Sequence, residues 1–290
     1  MGIRLLHDLK GGELLKEPVI LEEEVLVPAG TALKPEYIEL LKTLDVETVI
    51  VEESEEHERQ FFFQEEREEC VERVRRILKR HIYGKEKNSL QEIASFADEF
   101  IEKASVLDEF ASYDYEERQP DLYEHTVMTA ALSFIITKRL QISLKEQKEI
   151  VIGALLHDIG LRYITVNYVN QSIEEHSDTE LFEFKKHTIL GYSALESEEW
   201  VPMLARRMVL SHHERKDGSG YPLKQKNQEM GCRILQVCDA FDGMVSGMEC
   251  RRMELNDVLD YLQAQRGILF DEKVVDILLS LIRRKSDGNR

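Results

Sequence analysis

The chain has 290 residues, 42% of them hydrophobic and 32% charged, and a formal net charge of −18. Its length suits one large or two modest domains of an ordinary globular protein. The acidic balance excludes broad binding to a nucleic-acid polymer, which needs a basic face, but leaves open a small anionic ligand held where cations set the local field. No apolar run approaches the ~20 residues of a bilayer span. Charges also interrupt the apolar residues of MGIRLLHDLKGGELL, unlike a signal peptide. A cytoplasmic, bacterial protein with no membrane partner is the expectation. Cys70, Cys232, Cys238 and Cys250 form no CxxC pair and read as reduced thiols.

In chain order, residues 1–52 read as a small β-rich αβ module. VILEEEVLVPAGTAL holds strand-like pieces broken at Pro28–Ala29–Gly30. PEYIELLKTL predicts a short helix with Pro35 in its first turn and Ile38, Leu41 and Leu44 along one face. VETVIVEE predicts a strand. Residues 53–112 read as a helical linker region. From Glu52 to Cys70 nine glutamates face two arginines, and Phe61–Phe63 interrupt them. Such a polar helix with one apolar patch either docks on a neighbour or joins a homodimer or signalling partner through the N-terminal region.

Residues 113–286 predict a nearly all-helical domain. Ser143 and Glu146 have capping-box spacing, as do Ser177 and Glu180. The first helix leads through Ile150, Val151, Ala154 and Leu155 to His157 and Asp158, with Gly160 as its end. The second carries His187. Pro202 opens a third that leads through Leu204, Met208 and Val209 to His212 and His213. Leu235 leads in the same way to Asp239. With His125, seven imidazoles and carboxylates thus point inward from apolar helices, where each is costly unless something binds it. Adjacent helical residues diverge by about 100°, so His157–Asp158 and His212–His213 can serve two metal ions with Asp158 as the bridge. Imidazole and carboxylate without thiolate suit iron, manganese or zinc. His7, His57, His81 and His176 lie in polar or irregular surroundings and receive no role.

LLHDIG, SHHERKDGSGYP, QVCDAFDGM and FDEKVVDILL together resemble the HD-GYP family of metal-dependent phosphodiesterases over roughly residues 115–283. The N-terminal VLVPAGTALKPEYIELLKTLDVETVIVEE resembles the small β-rich segment often found ahead of such domains. The resemblance implies a mainly α protein: a C-terminal all-helical HD-superfamily domain behind a small αβ module and linker helices. It implies metal-assisted hydrolysis of a cyclic dinucleotide, chiefly cyclic di-GMP, to pGpG and onward to GMP by a bridging hydroxide. It implies two divalent ions, iron or manganese, held by His125, His157, Asp158, His187, His212, His213 and Asp239, with Asp121 the candidate for a third. Asp158 is the implied catalytic residue, with Arg162 the candidate to stand in for the family's phosphate-contacting lysine, and Gly220, Tyr221, Arg251 and Arg252 are the substrate-binding candidates. The GYP loop reads first as a support for the His pair. Ser211 and Asp217 read as local network residues.

Three features depart from the family pattern. Leu161 stands where the family has a lysine placed to contact a substrate phosphate. GMECRRM stands in place of an Arg-Pro-Tyr-Arg stretch, and NYVNQSIEEHSDTE lacks the usual lysine and proline. These leave two alternatives: a catalytically weak, metal-bound nucleotide-binding module, or an HD-type phosphohydrolase acting on another nucleotide.

Overall fold

The computed structural model describes residues 2–6, 9, 14–21, 24–44, 46, 48–51, 55–83, 88–105, 119–171 and 175–282. The chain divides into two compact units, Met1–Glu65 and Glu66–Arg290. The expected linker region over 53–112 straddles this division. His7, and the side chains of His57 and Phe61–Phe63, lie outside the described residues.

The first unit contains β1 (Gly2–Leu5), β2 (Val19–Leu21), β3 (Glu24–Val27), α1 (Pro35–Thr43) and β4 (Thr48–Val51). β1 pairs antiparallel with β4, with Gly2 opposite Val51 and Leu5 opposite Thr48. β2 and β3 form a second antiparallel pair. Gly30 takes a left-handed φ of 76° in the turn after β3, a conformation that costs glycine little. Ile38 and Leu41 of α1 join Leu15, Val27, Leu33, Val49 and Val51 in this unit's apolar core.

α2 (Glu55–Tyr83) crosses the division. α3 (Glu92–Ala104), α4 (Leu122–Arg139), α5 (Leu144–Leu156), a 3₁₀ turn (Ile159–Tyr163), α6 (Asp178–Lys185), α7 (His187–Ala194), α8 (Met203–Ser211), α9 (Met230–Ser246), α10 (Leu255–Gln265) and α11 (Glu272–Leu281) complete the second unit. α4 is buried without a break from His125 to Thr137, as befits a helix that is apolar nearly all round. It is the hub: α3, α5, α9 and α11 pack on it, while α8 packs on α5. The chain is mainly α, and among the described residues no helix is long and apolar enough to cross a membrane.

Two expected helices are interrupted, and both breaks shape the site. α5 stops at Leu156, with His157 as its C-cap, and tightens into the 3₁₀ turn instead of running to Gly160. Ser177 and Glu180 do form a reciprocal capping box. The helix they open ends at Lys185, and His187 begins a new one. Ser143 accepts from the Glu146 N–H at 3.4 Å.

Gly160 explains how the 3₁₀ turn approaches α7. A Cβ there would lie 1.8 Å from the His187 carbonyl oxygen and 2.7 Å from the Gly191 nitrogen. Both obstacles are backbone, so neither can swing aside. Gly160→Ala is therefore expected to cost about 3 kcal/mol, read as a lower urea midpoint at unchanged slope. An unchanged midpoint would show that the two segments separate freely.

Candidate metal centre

Five imidazoles and three carboxylates converge in the interior of the second unit. α4 supplies His125, the end of α5 His157 and Asp158, the start of α7 His187, the end of α8 His212 and His213, and α9 Asp239. Glu249, from the loop after α9, joins them. His125, His157, His187 and His212 are wholly inaccessible, and Asp158 is 2% exposed.

The ligand atoms fall into two groups that share Asp158. On one side His125 Nε2 lies 3.2 Å from His157 Nε2 and 3.2 Å from Asp239 Oδ1. Asp158 Oδ2 faces these rings, 3.2 Å from His157 Nε2 and 3.6 Å from His125 Nε2. On the other side His187 Nε2 lies 3.1 Å from His212 Nε2. Asp158 Oδ1 faces this pair, at 3.9 Å and 3.5 Å.

The hydrogen bonds on the far sides of the rings fix the tautomers. Nδ1 of His157 donates to the Ala154 carbonyl at 2.7 Å, that of His187 to Phe184 at 2.7 Å, and that of His212 to Val209 at 2.9 Å. His125 Nδ1 donates to Asp242 Oδ2 at 2.7 Å. With Nδ1–H so used, each neutral ring turns the lone pair of Nε2 inward. Two lone pairs facing each other at 3.1–3.2 Å repel unless a proton or a metal cation lies between them. Both Asp158 oxygens and Glu249 Oε1 are shut from solvent, with no partner in hydrogen-bonding geometry among the described residues. Buried carboxylate oxygens left this way are costly. The donor set therefore fits divalent cations, and the partners on Nδ1 are those that orient metal-binding imidazoles.

The electrostatics differ between the two groups. Burial opposes charge on His125, but hydrogen bonds to Asp239 and Asp242 outweigh it and raise its pKa to about 9. Burial and the neighbouring His212 instead push His187 down to about 4 and His213 well below its usual range. Burial works against charge on Asp158, yet His157, His212 and His125 hold it well below the ordinary carboxylate range. Burial, then Asp158 and Asp239, drive Glu249 the opposite way.

The GYP loop folds back onto the His pair. A Cβ on Gly220 would lie 2.4 Å from the His213 carbonyl oxygen and 2.5 Å from the Arg215 nitrogen, so the loop's approach requires glycine. The buried Glu214 carboxylate accepts from the Leu223 and Gln225 N–H groups, at 2.6 and 2.9 Å. The Tyr221 ring stacks on His213 with centroids 4.7 Å apart. Ser211 donates to the Arg207 carbonyl, and Asp217 accepts from Ser219.

The remaining candidates lie elsewhere. Asp121 caps α4 by accepting from the Tyr123 and Glu124 N–H groups at 2.9 Å, and pairs with Arg75 at 2.7 Å. Arg162 stands near His81, Tyr163 and Tyr168; burial lowers the pKa of His81 and raises those of the two tyrosines, a rise that the Arg162 charge partly opposes. Arg251 pairs with Glu175, and the Arg252 N–H donates to Asn170. Leu161 is buried with Phe184 and Met248 in an apolar cluster that Tyr221 joins. His81 pairs with Ser89, and His176 donates to the Asn167 carbonyl. The cysteines described are free thiols.

Two residues of the site escaped the sequence reading. Asp242 lies three positions after Asp239, hence on the same helical face, and that spacing was an available signal. Glu249 gave none, because it sits in the aperiodic stretch GMECRR.

The model of the HD domain family matches residues 115–274. A cyclic di-GMP phosphodiesterase of Thermotoga maritima is 29% identical over 218 residues, covering 73% of this chain and 58% of that protein. The cyclic di-GMP phosphodiesterase response regulator RpfG of Xanthomonas campestris pv. campestris is 34% identical over 149 residues, or 50% of this chain and 39% of the relative. The chain thus spans less than two thirds of either relative's length. The solved structure of Bd1817, an HDG"Y"P protein from Bdellovibrio bacteriovorus, shares the fold at a TM-score of 0.58 and 16% identity. The match covers 96% of this chain and 98% of that one.

If Asp242 orients His125, Asp242→Ala should weaken divalent-cation binding roughly 10- to 100-fold, with helix content unchanged by circular dichroism. Asp242→Asn keeps an acceptor and should lose less. Chelator competition measures both, and wild-type affinity in the Ala variant would show that His125 needs no such partner.

Proposed function

The chain belongs to the HD domain family, and on that premise we propose that it is a metal-dependent phosphodiesterase acting on cyclic di-GMP or a related cyclic dinucleotide. One observation carries the reading: the Asp158 carboxylate lies between two groups of imidazoles, one oxygen turned to each. His125, His157, Asp158 and Asp239 would hold one divalent ion; Asp158, His187, His212 and His213 would hold the other. The nitrogen and oxygen donors, with no thiolate, suit iron or manganese. When bound, such a pair makes water acidic enough to attack near neutral pH and offsets the charge that grows on phosphorus.

The chain's own residues supply position and environment. Water adds across a phosphodiester: its oxygen joins phosphorus, the bond to the 3′ oxygen breaks, and that oxygen leaves as a hydroxyl. The product is the linear dinucleotide, pGpG from cyclic di-GMP, with GMP after a second cut. The Nδ1 hydrogen bonds hold the rings in one orientation, so none has to reorganise during the reaction. Tyr221 and Glu214 lock His213 and its loop. Arg162, Arg251 and Arg252 are the candidates for phosphate contacts, and the engagement of Arg251 with Glu175 means that substrate has to displace a carboxylate to reach it.

The apolar surroundings of Leu161 favour a second reading, a metal-bound module that binds the nucleotide with weak turnover. A lysine there would be inserted beside Phe184 and Met248. Leu161→Lys is therefore expected to destabilise the protein by a few kcal/mol, the cost of an unpaired buried charge after partial relaxation. A melting temperature at or above that of wild type, with faster turnover, would instead make Leu161 the simple cause of weak activity.

The deciding experiment is chromatography of cyclic di-GMP incubated with protein reconstituted anaerobically with iron or manganese. pGpG or GMP should form with wild type. Asp158→Ala should form neither and should lose most bound metal. Intact substrate despite full metal loading would reject the phosphodiesterase reading, and nucleotide binding without turnover would favour the second.

A further inference from the structure

Glu249 is a buried carboxylate that the ligand set above does not use. Its side chain is 9% exposed. Oε2 lies 2.9 Å from His213 Nε2, and Oε1 lies 3.8 Å from His187 Nε2. One Glu249 oxygen lies within 4.8 Å of ligand atoms of both Asp158 and His187, and one within the same distance of His213 and Asp239. Neither His213 Nε2 nor Glu249 Oε1 has a partner in hydrogen-bonding geometry among the described residues. The close approach of His213 and Glu249 is thus two donor atoms set side by side, the disposition of two ligands of one ion.

The backbone is built to deliver this side chain inward. Glu249 has φ of 59°, the left-handed region that a β-carbon makes unfavourable. Structure on both sides holds it there. The Asn170 N–H donates to the Gly247 carbonyl at 2.7 Å, and the Asn170 side chain accepts from the Arg252 N–H at 3.0 Å. Met248 bridges to Val169, and its side chain is buried with Leu161 and Phe184. A surface glutamate would need none of this.

We infer that Glu249 is a further metal ligand, completing the coordination of the ion held by His187, His212 and His213. This rests on the two-metal reading of the centre. It gives the chain a third ligating carboxylate beside Asp158 and Asp239, supplied by the loop after α9. A position otherwise open to water or substrate is filled from within.

The test measures metal directly. Wild type, Glu249→Gln, Glu249→Gly and Asp158→Ala are equilibrated with manganese against a graded chelator, and metal per chain is determined by mass spectrometry. Glu249→Gln is expected to hold one of two ions at least about 10-fold more weakly, with the other little changed, since it keeps the shape and loses the charge a ligand supplies. Glu249→Gly guards against misfolding. Glycine accepts the left-handed φ and removes a buried carboxylate, so its metal-free melting temperature should equal or exceed that of wild type while the same ion is lost. Wild-type affinity in both variants would overturn the assignment, as would a metal-free melting temperature of Glu249→Gly below wild type with affinity retained, the mark of a structural glutamate. Failure of wild type to bind metal would overturn the two-metal reading itself, and this assignment with it.

Discussion

A carboxylate buried between two sets of inward-facing imidazole lone pairs is the constraint on which the second unit depends. Asp158 has no solvent and no hydrogen-bonding partner among the described residues for either oxygen. Left alone, it would destabilise the core by far more than its packing returns. The rings around it compound the problem, because His125, His157, His187 and His212 each spend the Nδ1–H on an acceptor on the far side of the ring. A cation resolves both difficulties at once. Metal binding and folding are then coupled, as in any site whose ligands repel one another until the ion arrives.

The fold meets this demand by ending helices at the ligands. His157 and His212 are C-caps, and His187 opens α7. At a helix end the backbone changes direction, so His157 and Asp158, or His212 and His213, can face different ions without straining either helix. The 3₁₀ turn after Asp158 serves the same end. It brings Gly160 so close to the His187 carbonyl that only a missing β-carbon permits the contact. The distance between two ligand-bearing segments is thereby set by backbone, the least deformable part of the structure.

Much of this was legible in the sequence, and the physical reasons differ from part to part. The helices of the second unit announce themselves by apolar periodicity, and the polar residues that end those runs stand out because burial makes them expensive. The strands and helix of the first unit follow from Pro28–Gly30 and Pro35. The two helix breaks were not legible, since Lys186 and Ile159 break no propensity rule and the interruptions come from packing. Asp242 was within reach through its spacing from Asp239. Glu249 was not: its burial depends on Asn170, 79 positions earlier, gripping the chain on both sides of it. Long-range hydrogen bonds of that kind leave no mark in a local pattern.

Charge gives the proposed cations a task beyond reactivity. A chain of net charge −18 repels an anionic dinucleotide at long range. Close to the centre, Leu161, Phe184 and Met248 form a buried apolar cluster that supplies no charge, and Arg251 is already engaged by Glu175. Beyond what Arg162 and Arg252 supply, attraction for a phosphodiester then has to come from the metal ions themselves, whose charge dominates any such site. Every carboxylate that ligates them subtracts from that attraction while tightening their hold. Two ligating carboxylates leave two divalent ions with two positive charges to offer a substrate, and a third leaves one. A centre that enlists Glu249 as well as Asp158 and Asp239 favours retention of metal over the pull on phosphate. The apolar side chain of Leu161 and the carboxylate of Glu249 therefore act in the same direction, neither adding to the hold on an anion.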